Sequence, residues 1–210
     1  KEVGADAVLS VVPYYNKPTQ EGIYRHFASI AEAVDIPILL YNVPPRTGGD
    51  MQVETVIRLS QVKNIIGIKD ASYDMARPTL TRLKAKKGFV QLSGEDASAL
   101  GFLAQGGDGC ISVTANVAPK QMHDLCSAAF AGDLKRAREI NARLLPGYTF
   151  VSKPEYANLG GATRGPGALD PGDAHSQAEH DANLGLWDGC LVNETSSWHG
   201  TLVAGQLGAV

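Results

Sequence analysis

The stretch NIIGIKDASYD, residues 64–74, places a lysine at the end of an apolar, β-branched run. Residues 65–68 are continuously apolar or glycine, which is typical of a strand buried on both faces of a parallel sheet. Lys69 follows where such a strand ends, and an ammonium group loses much of its hydration there. The lysine is therefore either paired with a neighbour such as Asp70 or used chemically.

The pattern around this strand repeats along residues 1–146. Apolar runs alternate with amphipathic helical patterns, and the predicted strands are residues 6–13, 36–44, 64–70, 88–94 and 107–113. The predicted helices are residues 20–34, 53–61, 76–86, 97–105, 119–131 and 134–145. Strands that alternate with helices predict a parallel sheet with right-handed crossovers.

Two architectures fit this alternation. Five units within 146 residues match the spacing of a (β/α)₈ barrel, or TIM barrel, whose eight units take about 250 residues. A five-stranded doubly wound sheet is the alternative. No Gly-x-Gly-x-x-Gly follows a strand, so the dinucleotide-binding form of that alternative has little support.

Composition limits the classes of partner. The chain has 210 residues, 44% hydrophobic and 20% charged, with a net charge of −3, which is ordinary for a globular protein. No basic block or bilayer-length apolar run is present, so we expect a small-molecule partner rather than nucleic acid or a membrane. Cys110, Cys126 and Cys190 lack metal-ligand spacing and are interpreted as reduced thiols of a cytoplasmic protein.

The composition changes near Pro146 and Gly147. Up to Pro146 there are 17 Lys and Arg against 15 Asp and Glu, and afterwards there are 2 against 7. The later part also holds 11 of the 23 glycines. We therefore predict a barrel-type domain over residues 1–146 and an irregular, glycine-rich, poorly ordered tail over residues 147–210.

Polar residues collect at the predicted carboxyl ends of the strands, where ligands bind in both architectures. A desolvated Lys69 amine would attack a carbonyl, Tyr41 would relay protons, and Arg46 would hold a carboxylate. Taken singly, each has an ordinary structural explanation, but together they predict a site. Further strand-end residues, to which the pattern assigns no role, are 13–16, 93–96 and 112–116.

Five segments identify a family. These are GADAVLSVVPYYNKPTQEGIYRHF (4–27), ILLYNVPPRTGGD (38–50), VKNIIGIKDAS (62–72), LSGEDASAL (92–100) and GGDGCISVTANVAP (106–119). In this order they resemble consecutive motifs of the dihydrodipicolinate synthase family. The resemblance implies a (β/α)₈ class I aldolase-type lyase that condenses pyruvate with aspartate semialdehyde in lysine and diaminopimelate biosynthesis. It also implies a cytoplasmic homotetramer, a dimer of tight dimers, with no cofactor beyond the covalent pyruvate imine.

The same resemblance implies residue roles. Lys69 matches the Schiff-base lysine, and Tyr41 matches the proton-relay tyrosine. Tyr15 matches the tyrosine that each subunit of the tight dimer contributes to the active site of the other subunit. Arg46 matches the arginine that receives the aldehyde substrate's carboxylate. Two further positions match the lining of the pyruvate pocket, Gly94 and Ile111. The sister family of N-acetylneuraminate lyases shares the lysine but usually not the YNVPPRTG stretch, and is the second choice.

The chain departs from the family pattern at both ends. Its first recognisable strand resembles the family's fourth, so we expect strands 4 to 8 without the first three units and their relay threonine. The family's closing helices are replaced from about Gly147. A middle fragment is therefore expected, which as the isolated chain would show weak turnover or none.

The tail has a resemblance of its own. SSWHGTLVAGQLGAV, residues 196–210, resembles the segment of secreted subtilisin-like serine peptidases that carries the catalytic histidine. It implies that His199 is the general base and that a helix of small residues follows Gly200. Leu202 stands where a second histidine is usual, and no Asp-Thr-Gly or Gly-Thr-Ser motif occurs to complete a triad. A peptidase fragment joined to the synthase fragment is the alternative function.

Overall fold

A parallel sheet in strict sequence order organises the first part of the chain. The computed structural model describes residues 4–152 and 201–204. Its contacts divide the chain into two units, residues 1–110 and 111–210. The strands are β1 (Val8–Val11), β2 (Ile38–Asn42), β3 (Ile65–Asp70), β4 (Val90–Ser93) and β5 (Gly109–Ser112), and β5 begins in the first unit.

The strand order distinguishes the two predicted architectures. Each of the first four strands pairs in parallel with the next along the chain, from β1–β2 to β4–β5. A doubly wound sheet reverses its strand order at a switch point, whereas a barrel adds every strand on the same side. The observed order is that of a barrel wall, so the predicted partial (β/α)₈ class is confirmed.

The helices of the first unit begin near their predicted starts. They are α1 (Gln20–Ala33), α2 (Pro44–Thr47), α3 (Val53–Ser60), α4 (Arg77–Arg82) and α5 (Ala99–Ala104). The predicted helix over residues 76–86 is too long, because beyond Arg82 the chain continues in tighter turns in which Lys84 N donates to Thr81 O at 3.2 Å. The short helix α2 was not predicted.

The core of the first unit lies between the sheet and the helices that follow its strands. Ile23 and Phe27 from α1 pack in one cluster with Leu40, Leu59 and Phe89. Full burial of each such side chain contributes roughly 1.5–3 kcal/mol. This cluster supports β2 and β3, the strands that carry Tyr41 and Lys69.

The second unit contains the last residues of β5, a 3₁₀ turn at Thr114–Asn116, α6 (Pro119–Phe130), α7 (Leu134–Ser152) and β6 (Thr201–Ala204). In the strand order β6 follows β5. The prediction that the last helix ends at residue 145 is wrong, since α7 continues to Ser152 across the predicted domain boundary. A proline inside a helix removes one backbone donor without necessarily ending it.

Most of the predicted tail, including His199, lies outside the described residues. Two parts of it are described, residues 147–152 within α7 and residues 201–204, and the second corrects an expectation. Thr201–Ala204 form a strand where the peptidase resemblance implies a helix. The residues Thr-Leu-Val explain this, because two of the three are β-branched and favour extended backbone.

Among the helices that the structure describes, none combines the length and apolar character needed to cross a bilayer.

Candidate active site

Lys69 and Tyr41 are neighbours on adjacent strands. The register pairs Tyr41 of β2 with Lys69 of β3, so both side chains project from the same face of the sheet. The Lys69 Nζ lies 4.3 Å from the centroid of the Tyr41 ring. The Lys69 residue is only 7% exposed. The structure therefore brings together the two residues that were predicted to form the imine and to relay its protons.

The surroundings of Lys69 make its amine less basic. Burial lowers the pKa of Lys69, and the positive charge of Arg46 acts in the same direction. The carboxylate of Asp96 opposes them by favouring the ammonium form, but burial is the largest effect. A lowered pKa increases the fraction of neutral amine at neutral pH, and the neutral amine is the nucleophile.

Tyr41 has the opposite protonation preference. Burial raises the pKa of the Tyr41 phenol, while the charge of Arg46 lowers it to a smaller extent. The phenol therefore keeps its proton at neutral pH. A protonated phenol next to an amine of lowered pKa is a donor and nucleophile pair suited to carbonyl addition.

Gly94 lies against the Lys69 side chain. Its backbone N–H donates to the carbonyl of Asp70 at 2.7 Å, immediately beyond β4. A Cβ at this position would lie 2.9 Å from Lys69 Cγ and 3.0 Å from Lys69 Cε. This close approach favours glycine at position 94 and shows that Gly94 lies against Lys69; its role in a pyruvate pocket stays a prediction.

The remaining predicted residues have less direct relations to Lys69. Arg46 lies in α2, directly after β2, and its charge reaches Tyr41 and Lys69. Tyr15 is 93% exposed, so its ring lies in solvent rather than in the buried surroundings of Lys69. Ile111 is half-buried on β5 in the second unit. The roles of all three stay predictions.

Tyr73 is a site neighbour that the sequence patterns did not reveal. It has a φ of 65° in the left-handed region, which is unfavourable for a side chain of this size. Burial and the nearby Glu95 raise its pKa, and the charge of Arg46 lowers it. Its position four residues after Lys69 was the available signal, but nothing in the sequence indicates a left-handed backbone at a tyrosine.

Glu95 follows β4, where the sequence pattern assigns it no role, and its side chain is buried. Its Oε2 accepts hydrogen bonds from the backbone N–H and the hydroxyl of Ser98, both at 2.9 Å. Burial raises the pKa of this carboxyl, although the Ser98 hydrogen bonds lower it. Glu95 therefore places a carboxyl group, which is negatively charged only when ionised, on the β4 side of the site.

Within residues 4–152 and 201–204, no group of three or more histidine, cysteine or carboxylate side chains is arranged to hold a metal ion.

Comparison with known proteins places this site in a family. The family model for the dihydrodipicolinate synthetase family matches residues 1–157. The chain is 61% identical over 145 residues to the 4-hydroxy-tetrahydrodipicolinate synthase of Nitrosospira multiformis, covering 69% of this chain and 48% of the relative. It is 60% identical over 144 residues to that of Nitrosomonas europaea, covering 69% and 49%. The chain thus spans about half the length of the curated relatives it matches.

Solved structures agree with the sequence relatives. Dihydrodipicolinate synthase from Aquifex aeolicus superposes with a TM-score of 0.74 at 36% identity, covering 91% of this chain and 69% of that one. The chloride-inhibited synthase from Acinetobacter baumannii, complexed with pyruvate, gives 0.73 at 38% identity, covering 88% and 66%. The parallel barrel wall, the buried lysine over a tyrosine ring and these matches lead to one conclusion: the chain belongs to the dihydrodipicolinate synthetase family.

Proposed function

We propose that this chain carries the catalytic lysine of a 4-hydroxy-tetrahydrodipicolinate synthase, a lyase that condenses pyruvate with aspartate semialdehyde. One observation carries the proposal: Lys69 is buried at the end of β3 with its amine over the Tyr41 ring. Support comes from relatives of about 60% identity that bear this enzyme name and from a solved relative complexed with pyruvate.

The first half of the reaction follows from the two side chains. The neutral Lys69 amine attacks the C2 carbonyl of pyruvate, and Tyr41 passes a proton to the developing alkoxide. A second proton transfer releases that oxygen as water and leaves the imine. Loss of a proton from C3 then gives an enamine, because the imine nitrogen accepts the electron pair.

The second half requires the aldehyde. The enamine C3 attacks the aldehyde carbon of aspartate semialdehyde, whose carboxylate is held by Arg46 through the two-pronged contact that a guanidinium makes. The new alkoxide takes up a proton to become a hydroxyl. Attack of the substrate's own amine on the imine carbon closes a six-membered ring and returns free Lys69.

The remaining assignments belong to the same proposal. Gly94 lines the pyruvate pocket, Ile111 keeps the role that the resemblance implies, and Tyr15 serves the site of a neighbouring copy within a dimer of dimers. The exposure of the Tyr15 ring supports this, because a tyrosine lent to another subunit has no packing role in its own. A cytoplasmic location is part of the proposal, since the relatives named above are bacterial biosynthetic enzymes.

The two alternative functions have no specific observation in their favour. An N-acetylneuraminate lyase would use the same lysine, but the relatives at about 60% identity are synthases. The peptidase alternative depends on His199, which lies outside the described residues.

Proton exchange at pyruvate C3 tests the proposal. Enamine formation exchanges the methyl protons with solvent, so the chain incubated with pyruvate in D₂O should make the methyl signal in the proton NMR spectrum decay. Lys69→Ala should abolish this decay, whereas Lys87→Ala, at an exposed lysine, should not change it. Exchange that persists in Lys69→Ala, or a folded wild-type chain that gives none above the buffer rate, would contradict the proposal.

A further inference from the structure

Arg77 is the centre of a buried polar network beside the candidate active site. It is the first residue of α4, and its side chain is 11% exposed. Its Nη1 donates to the backbone carbonyl of Met51 at 2.9 Å, and its Nη2 donates to the carboxylate of Asp50. The same guanidinium lies 3.6 Å from a carboxylate oxygen of Asp70 and 3.6 Å from one of Asp74.

Asn42 connects this network to β2. Its Nδ2 donates to Asp50 Oδ1 at 2.9 Å, and its Oδ1 accepts from the backbone N–H of Met51 at 3.0 Å. Asn42 is the last residue of β2, and its register partner Asp70 is the last residue of β3. Arg77 therefore ties the carboxyl ends of both strands to the loop that holds Asp50 and Met51.

The two linked residues directly follow the two reactive ones. Asn42 comes after Tyr41, and Asp70 comes after Lys69, and successive side chains of a strand point to opposite faces. The network consequently lies on the other face of the sheet, and Arg77 has no described contact with either reactive side chain. Its influence on them acts through the strand ends.

We propose that Arg77 is a positioning residue: by holding the ends of β2 and β3 together from the opposite face, it keeps Lys69 buried against the Tyr41 ring. The inference rests on the proposed function only in taking Lys69 as the reactive amine. An arginine suits this role because the N–H groups of its planar guanidinium can donate to several acceptors at once. Without it, the buried Asp70 loses its cation, and a buried carboxylate without a counter-charge is strongly unfavourable.

The same helix provides a matched control. Arg82 is the last residue of α4, and it donates to the carbonyls of Phe89 at 2.7 Å and Gly106 at 3.0 Å and pairs with Asp108. Those partners precede β4 and β5, at the opposite end of the strands from Lys69. Arg82→Gln therefore removes a comparable set of contacts without releasing the strand ends that carry the site.

The test measures how readily the Lys69 amine reacts, without using substrate. Trace acetic anhydride is applied to the full chain, Arg77→Gln and Arg82→Gln at a series of pH values, well below thermal unfolding. Peptide mass spectrometry then gives the labelling rate of Lys69 relative to the exposed Lys87. The other groups that act on Lys69, namely Asp96, Arg46 and Tyr41, are the same in all three proteins.

We expect the Lys69 labelling midpoint to move to higher pH in Arg77→Gln and to stay unchanged in Arg82→Gln. Burial is the main cause of the lowered pKa of Lys69, so water that enters between loosened strands favours the ammonium form. Each unit of upward shift lowers the rate at neutral pH about tenfold. An unchanged midpoint in Arg77→Gln, or an equal shift in Arg82→Gln, would overturn the inference, because loss of stability alone does not move the midpoint of a folded protein.

A second variant keeps the test decisive if Arg77→Gln does not fold. Asp50→Asn retains Arg77 but replaces its carboxylate partner at a half-exposed position, and a smaller shift in the same direction is expected. No shift in a folded Asp50→Asn chain would count against the network. Proton exchange at pyruvate C3 tests the proposed function separately. A shifted midpoint in Arg77→Gln without exchange in the wild-type chain would support the positioning role and refute the synthase proposal. Exchange in the wild-type chain with an unshifted midpoint in Arg77→Gln would support the synthase proposal and refute the positioning role.

Discussion

At the residue scale, the proposed reactivity of Lys69 depends on its burial. A lysine in water is almost fully protonated at neutral pH, and an ammonium group has no electron pair with which to attack a carbonyl. The site lowers the pKa of Lys69 by burying its side chain away from water and by placing the positive charge of Arg46 nearby. Such an arrangement disfavours the charged form, so it is expected to reduce the stability of the fold.

This expected loss of stability predicts a pH-dependent effect of Lys69→Met. Because the folded pKa of Lys69 is below its usual 10.5, the unfolded chain binds more protons at intermediate pH, and the wild-type free energy of unfolding rises with pH there. Lys69→Met should therefore be stabilising at pH 7, with a gain that shrinks as the pH rises toward 10.5. Urea denaturation at pH 7 and pH 10 would measure this. A gain that grows with pH would be inconsistent with a lowered pKa.

Tyr41→Phe separates the two functions of the tyrosine ring. The substitution keeps the aromatic face under the Lys69 amine but removes the proton donor. Imine formation with pyruvate should slow by roughly 10²-fold, the usual contribution of a positioned general acid. Stopped-flow or quenched-reduction kinetics would give the rate. An unchanged rate would show that the relay proton comes from another group.

Gly94→Ala tests the close packing at the lysine. The added methyl group would press on the Lys69 chain at 2.9–3.0 Å, so we expect a loss of about 1–3 kcal/mol in unfolding free energy and a large fall in pyruvate imine formation. Gly49→Ala is the control, because a Cβ there meets no atom within 4 Å. Equal effects of both substitutions would argue that the contact with Lys69 is unimportant.

At the element scale, α1 stabilises the strands that carry the site. Phe27 is fully buried in the cluster that supports β2 and β3. Phe27→Ala should lower the unfolding free energy by about 3–5 kcal/mol, whereas Phe130→Ala, at the half-exposed end of α6, should cost much less. Thermal or urea denaturation followed by circular dichroism would compare them. Similar losses in both variants would mean that the core lies elsewhere.

The elements also show what could be predicted from the sequence. β3 and Lys69 were predictable because a short apolar run ending in one lysine has few explanations in a parallel sheet. The four-residue helix α2 was not, since a Pro-Pro pair in the first turn also fits a loop and the helix ends at once at Gly48, with a φ of 65°. The Arg77 network was missed because the partners of Arg77 lie up to 27 residues away in sequence, which no periodicity records.

At the scale of the whole molecule, we expect the exposed edge of the sheet to promote association in solution. Among the described strands, β1 pairs only with β2. Its Leu9 and Val11 are 41% and 37% exposed. An apolar edge strand of this kind promotes association through its unpaired backbone groups.

A double substitution tests this expectation. The purified 210-residue chain should self-associate, and Leu9→Lys with Val11→Lys should shift it toward smaller species, because charged side chains on an edge strand oppose pairing. Size-exclusion chromatography with light scattering would compare the two proteins at equal concentration. A monodisperse wild-type chain whose size is unaffected by the substitutions would show that this edge does not drive association.

The central claim is that Lys69 forms a covalent imine with pyruvate, and reduction of that imine tests it most directly. The folded chain is incubated with pyruvate, reduced with borohydride, digested and mapped by mass spectrometry, with Lys69→Ala and Lys87→Ala alongside. We predict a reduced pyruvate adduct on the peptide that contains Lys69, its loss in Lys69→Ala, and its persistence in Lys87→Ala. An adduct that persists in Lys69→Ala, or that maps to another lysine in the wild-type chain, would contradict the account.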